Sequence, residues 1–160
     1  MKNVIKSLFI LCTMLLSFVG FGQDAGQKAK DEATLKAYFA KNNIKATRTP
    51  SGLYYVITKK GTGANAQKGQ RVSMKYLGKF LDGKKFDANV DDNFNSTRPF
   101  AFTLGVGQVI AGWDEGVQLL NPGCRASLYL PSGLAYGPGG TGPIPPNSVL
   151  IFDVELVSIN

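Results

Sequence analysis

Ile144-Pro145-Pro146-Asn147-Ser148-Val149-Leu150-Ile151-Phe152-Asp153-Val154-Glu155-Leu156 sets a rigid diproline turn directly before a strand. Leu150, Phe152, Val154 and Leu156 alternate onto one side, the pattern of a half-buried strand. Prolines lack the N–H a sheet interior needs, so Pro145 and Pro146 belong to the loop that leads into it. Upstream, Val109-Ile110-Ala111-Gly112-Trp113-Asp114-Glu115-Gly116-Val117 carries the only tryptophan. The two stretches together suggest an apolar cup beside a proline-rich loop.

Working outward, β signals dominate. Leu53 to Thr58 reads as a strand and ends at the Gly61-Thr62-Gly63 turn. Arg71 to Leu81 follows, with Val72, Met74 and Tyr76 in alternation. Asp82-Gly83 is the dipeptide of a two-residue hairpin turn, after which Lys84 to Phe86 returns the chain. Phe100 to Leu104 and Ala126 to Leu130 alternate again. Helical spacing is carried by Val109, Trp113, Val117 and Leu120. The fold expected is α+β: an antiparallel sheet with one helix laid on it. Before it, Asp24 to Lys30 reads as a flexible tether. Asp31 to Asn43 reads as a helical extension with a narrow face of Leu35, Tyr38 and Phe39. That helix either packs on the core or mediates contacts.

Composition removes many functions. There is no histidine, which excludes His-based triads, general acid–base schemes and metal sites. Cys12 and Cys124 share no metal-type spacing, and no metal or organic cofactor is expected. Lys2, Lys6, the apolar run Leu8 to Val19 and the small residues of Gly20-Phe21-Gly22 form a secretory leader with cleavage before Gln23. The run is shorter than the ~20 apolar residues of a membrane span, so stable membrane insertion is not expected. Leu11 stands before Cys12 where a lipoprotein signal has a small residue. Three segments result: a leader over 1–22, a tether and helical extension over 23–50, and a compact domain over 51–160. Loss of Lys2 and Lys6 leaves 16 basic against 11 acidic side chains, lowering the formal charge from +7 to +5. The basic residues are spread along the chain, whereas nucleic-acid binding wants a focused stripe.

Three motif matches fail on context. Gly137-Pro138-Gly139-Gly140-Thr141-Gly142 fits a phosphate-binding pattern but follows no strand–helix switch and runs into Pro143. Asp87-Ala88-Asn89-Val90-Asp91 opens like a calcium loop, yet Asp92 replaces its glycine and Arg98 its final glutamate. Asn95-Ser96-Thr97 is an isolated glycosylation triplet.

The remaining blocks occur in a fixed order. They are Tyr76-Leu77-Gly78, Asp82-Gly83-Lys84-Lys85-Phe86-Asp87, Pro99-Phe100-Ala101-Phe102-Thr103-Leu104-Gly105, Val109 to Gly116, Ala135-Tyr136-Gly137 and Ile144-Pro145-Pro146. Over Ser51 to Ile159 the chain resembles the FKBP-type peptidyl-prolyl cis-trans isomerases, in particular their exported bacterial members. The resemblance implies a twisted antiparallel sheet wrapped around one short helix. It also implies a proline ring held in an aromatic pocket, with Trp113 as floor, Tyr76, Phe100 and Phe152 as walls, and Val109 and Ile110 at the rim. Phe86 and Ile144 would add apolar surface. Tyr136 would offer its hydroxyl to a substrate carbonyl, with Asp87 at the edge within reach of that hydroxyl or of the substrate. An arginine often pairs with this aspartate in compact members, and Arg98 is the nearest here. Two departures stand out: the connection from Asp87 to Phe100 is longer, and the loop after Tyr136 is glycine-rich.

The resemblance implies rotation about X-Pro bonds of unfolded or partly folded polypeptides, and binding of macrolide inhibitors such as tacrolimus and rapamycin. A binding module or holdase is the alternative, and a structural role a distant third. The leader places the protein outside the cytoplasm, in a periplasm. Mass spectrometry of protein from its native host is expected to find a chain beginning at or near Gln23; an intact 1–22 segment would overturn that reading.

Overall fold

The chain forms, in order, α1 (Phe18–Asn42), β1 (Thr47–Arg48), β2 (Tyr54–Lys59), β3 (Arg71–Lys79), β4 (Lys85–Ala88), β5 (Phe100–Thr103), α2 (Ala111–Gly116), β6 (Arg125–Leu130) and β7 (Leu150–Ile159). The structure is a computed structural model that describes residues 18–160 apart from 92 and 97, with side chains described from residue 25 onward. Residues 1–17 of the expected leader, Asp92 of the failed calcium loop and Thr97 of the glycosylation triplet lie outside the described residues.

One antiparallel sheet holds every strand among the described residues, in the order β1-β2-β6-β7-β3, with β4 and β5 sharing the far side of β3. Strand β7 lies near its middle, paired with β3 from Val72↔Ile159 to Lys79↔Ile151 and with β6 from Arg125↔Glu155 to Leu130↔Leu150. Leu150, Phe152, Val154 and Leu156 join the main core with Trp113, Val117 and Leu120, as the alternation requires. The sheet thus wraps a short helix, the fold class expected.

Helix α2 is shorter than its spacing suggests. The α-helical part covers only Ala111–Gly116, followed by a single 3-10 turn over Val117–Leu119. Ile110 is extended at the N-cap, and Leu120 is extended again just before Asn121-Pro122. Asn121, the residue directly before Pro122, is disfavoured in helical geometry, which keeps the helix from continuing beyond this point. Glycine lets it lie close to the sheet. A Cβ on Gly112 would stand 2.5 Å from Leu130 Cδ2, and one on Gly116 would stand 2.8 Å from Leu128 Cδ1.

The hairpin between β3 and β4 also differs from expectation. Gly83 N–H donates to the Phe80 carbonyl at 3.0 Å, Gly83 has φ of 87°, and Phe80 N–H donates to the Lys84 carbonyl at 3.0 Å. Asp82-Gly83 therefore ends a three-residue loop, a turn closed by a left-handed glycine, in place of a two-residue turn.

The other face of the sheet is covered by α1. Residues 24–30, expected as a tether, are helical and continuous with Asp31 onward. Ala25, Gln27, Lys28, Ala29 and Lys30 are good helix formers that outweigh Gly26, and Gln27 Nε2 donates to Asp31 Oδ1 at 2.7 Å one turn on. Leu35 and Phe39 pack on Tyr54, Tyr129 and Ile151, a second core on the outer face. So β7 is buried on both sides at Ile151, and α1 packs on the core.

The helix stops through its asparagine. Asn43 adopts φ of 55°, Ile44 N–H donates to the Phe39 carbonyl at 2.9 Å, and Asn43 N–H to the Ala40 carbonyl at 3.5 Å. This bonding satisfies the last carbonyls and turns Ile44 onto the second core.

Phe39→Ala is expected to cost about 3–5 kcal/mol, because it empties a site between the Tyr54 and Tyr129 rings. Urea denaturation measures this. A loss below about 1 kcal/mol would mean that α1 does not depend on the sheet for its packing.

Candidate active site

Between α2 and the concave face of the sheet lies a cavity of about 530 Å³, lined by Tyr76, Asp87, Phe100, Gln108, Val109, Ile110, Trp113, Tyr136 and Phe152. Strand β3 supplies Tyr76, β4 supplies Asp87, β5 supplies Phe100 and β7 supplies Phe152. Four strands therefore converge on one helix residue.

Trp113 is 4% exposed and forms the floor. Its ring meets Tyr76 at 5.2 Å and Phe152 at 5.5 Å, both edge-to-face, and Phe100 at 6.2 Å. Such pairs add to burial by matching ring edges to ring faces, which locks orientation as well as distance. The indole Nε1 is buried and has no hydrogen-bond partner among the described residues.

All but two of the residues singled out from the sequence line this cavity. Phe86 lies one layer back, at 5.6 Å from Phe152 and 5.1 Å from Phe80. Ile144 is 5% exposed in the main core, bridged through its backbone to Thr141. Both support the wall without lining it. Gln108 was not anticipated. Its side-chain oxygen accepts from Thr103 N–H at 2.8 Å, and Asp114 accepts from Gly105 and Gly107 N–H at 2.8 Å each. These bonds shape the loop from 103 to 108, so Gln108 reaches the mouth through a turn whose only sequence signal is the pair of flanking glycines.

The polar edge is built around Asp87, which lines the cavity together with Tyr136. Asp87 accepts from the Tyr76 hydroxyl at 2.9 Å and is not bonded to Tyr136. Nor does Arg98 pair with Asp87 among the described residues; its backbone carbonyl accepts from Asn89 instead. Burial, then the hydrogen bond and charge of Asp87, push Tyr76 up to about 12. Burial and the Asp87 charge also push Tyr136 up, so both phenols are neutral at ordinary pH. Tyr136 keeps its hydroxyl free of any described partner, as does the backbone N–H of Ile110. Both residues line the cavity, so two donors without a described partner belong to its lining.

Asn89 positions Tyr76 and was missed by sequence reading. Strands β4 and β5 pair with opposite halves of β3, leaving a gap on its edge. Asn89 fills it: its Oδ1 accepts from Tyr76 N–H at 2.8 Å, and its Nδ2 donates to the Met74 carbonyl at 3.0 Å. Its own N–H donates to the Tyr76 carbonyl at 3.1 Å. The side-chain amide stands in for a missing strand residue.

A family model described as FKBP-type peptidyl-prolyl cis-trans isomerase matches residues 63–157. An Aeromonas hydrophila protein named FKBP-type peptidyl-prolyl cis-trans isomerase FkpA is 45% identical over 130 residues, covering 81% of this chain and 46% of its own length. A Schizosaccharomyces pombe peptidyl-prolyl cis-trans isomerase is 46% identical over 111 residues, covering 68% of this chain and 96% of its own. The crystal structure of FkpA from Escherichia coli superimposes with a TM-score of 0.69 at 33% identity, covering 88% of this chain and 64% of that one. The chain belongs to the FKBP-type peptidyl-prolyl cis-trans isomerase family. It spans less than half the length of several relatives it matches.

Alkaline titration followed by tyrosinate absorbance is expected to show a tyrosine ionising near pH 12 that Tyr76→Phe removes. The folded state holds this proton more tightly than the unfolded chain. Its contribution to stability is therefore complete below about pH 10 and lost as pH rises toward 12. Loss of a step near pH 10 in Tyr76→Phe, with the step near pH 12 kept, would contradict the Tyr76–Asp87 bond.

Proposed function

We propose that the protein is a peptidyl-prolyl cis-trans isomerase acting on X-Pro bonds of exported polypeptides. The observation that carries this is the aromatic box of Trp113, Tyr76, Phe100 and Phe152 with two unpartnered donors at its mouth. Family membership supports the same reading. The proline ring rests on Trp113, and the Tyr136 hydroxyl and Ile110 N–H hold flanking carbonyls.

The reaction asks for no nucleophile and no proton transfer. Rotation about the peptide bond faces a barrier of ~18–20 kcal/mol because it breaks amide resonance. At the twisted midpoint the carbonyl is less polar than in the planar amide. A box of ring edges and faces solvates the planar amide poorly and the twisted one comparatively well, which is tighter binding of the transition state. Donors at the rim add orientation without stabilising the planar form at its nitrogen. The Tyr76–Asp87 bond keeps a wall ring in place.

A second reading, a holdase without catalysis, draws on the exposed apolar rim: Phe100 at 41%, Val106 at 52% and Tyr136 at 36%. Aggregation suppression that survives in a variant without isomerase activity would favour it.

Proline-limited refolding assays test the main proposal. Trp113→Leu should lower kcat/KM at least tenfold and cost less stability than the ~3–5 kcal/mol of full aromatic truncation. Tyr136→Phe should stay folded with a smaller loss. Wild-type Trp113 fluorescence should change on titration with a prolyl peptide or tacrolimus. Strong isomerase activity with unchanged emission at saturating peptide would place the reaction elsewhere.

A further inference from the structure

Asp31 and Ser132 are the buried polar side chains among the described residues, at 3% and 1% exposure, and they are bonded to each other. Asp31 Oδ2 accepts from Ser132 N–H at 2.8 Å and from Ser132 Oγ–H at 2.6 Å, while Oδ1 accepts from Gln27 Nε2 at 2.7 Å. A buried carboxylate is costly unless it is hydrogen-bonded, and here three donors reach its two oxygens. Leu35 and Phe39 already anchor α1 to the sheet. An apolar residue at position 31 would extend that anchor with no desolvation cost. What the carboxylate adds is direction, because it fixes both donors of one residue on another segment.

That segment leads to the pocket. Ser132 opens a 3-10 turn over Ser132–Leu134 in which Leu134 N–H donates to the Pro131 carbonyl and Ala135 N–H to the Ser132 carbonyl, each at 3.0 Å. Tyr136 follows directly. On the inner side the turn presses on α2, since the Leu134 carbonyl would lie 3.1 Å from a Cβ on Gly112. The turn is held from outside by α1 and from inside by α2.

Resting on the pocket reading above, we infer that Asp31 is a positioning residue: through Ser132 it sets where the Tyr136 hydroxyl stands at the pocket mouth. The N-terminal helix is then part of the isomerase machinery, acting without touching substrate.

The test uses the full chain and two variants. Asp31→Asn keeps the volume and weakens the bonds. Ser132→Ala keeps the charge and the backbone bond, so it stays informative if Asp31→Asn lowers stability below the assay temperature. Each should reduce kcat/KM roughly three- to tenfold, mostly in kcat, and speed amide hydrogen exchange over 132–137 while the sheet stays protected. In a Tyr136→Phe background the further loss should fall below about twofold, since the hydroxyl to be positioned is gone. Losses that multiply in full across that cycle, or wild-type kcat/KM in both folded variants while Trp113→Leu is impaired, would overturn the inference and leave the pocket reading standing. Wild-type rates in Trp113→Leu as well would remove the pocket reading and this inference with it.

Discussion

The closeness of α2 to the sheet is the constraint on which the rest depends. Gly112 and Gly116 flank Trp113 on a helix of under two turns, and neither position has space for a Cβ against Leu130 or Leu128. With the helix pressed that close, Trp113 has one place to go, among the rings of Tyr76, Phe100 and Phe152. A larger residue at either glycine would lift the helix and open the floor of the cavity. The same contact buries Val117 and Leu120 completely, so the pocket floor and the main core are one packing problem. Interiors packed to crystal-like density pass on small displacements, which ties the geometry of the box to the stability of the domain.

The outer face is handled by different means along its length. Near Ile151 it is sealed by Leu35 and Phe39 of α1. Further along β7, Asp153 is met by Lys79 and Ser127, and Glu155 by Lys75 and Arg125. Phe94, from the long connection between β4 and β5, lies 4.8 Å from the Arg125 guanidinium. These ion pairs are partly solvated and contribute little to stability, by ~0–1 kcal/mol each. Their effect is on register, since a one-residue slip of β7 would set its carboxylates against the apolar core.

The mouth of the pocket is built from segments between strands, and each is tied down by a polar side chain. Asp114 holds the turn before α2, Asn89 holds the edge of β3, and Asp31 holds the turn before Tyr136. Without these anchors the segments that carry the polar groups of the mouth would be held only by their chain connections. The anchors fix where each segment of the mouth stands relative to the aromatic box.

The residues that line the cavity, except Gln108, follow from the family resemblance of the ordered blocks, while periodicity and turn chemistry reveal the strands and the helix stripe through Trp113 and Val117. These are legible because alternation and 3.6-residue spacing follow from local backbone geometry. The sequence alone also excludes histidine-based chemistry, because the residue is absent. Other features needed the tertiary structure. Asp87 and Tyr76 lie on neighbouring strands, so that Asp87 takes the Tyr76 hydroxyl and leaves Tyr136 free is a matter of register. The family resemblance brings Phe86 and Ile144 to the site as added apolar surface, and only packing order sets them behind the wall. The helix over 24–30 reads as polar tether because its stabilising partner is far along the chain. Asp31 and Ser132 are separated by 101 residues, and no local pattern announces a hydrogen bond that exists only once α1 lies across the sheet.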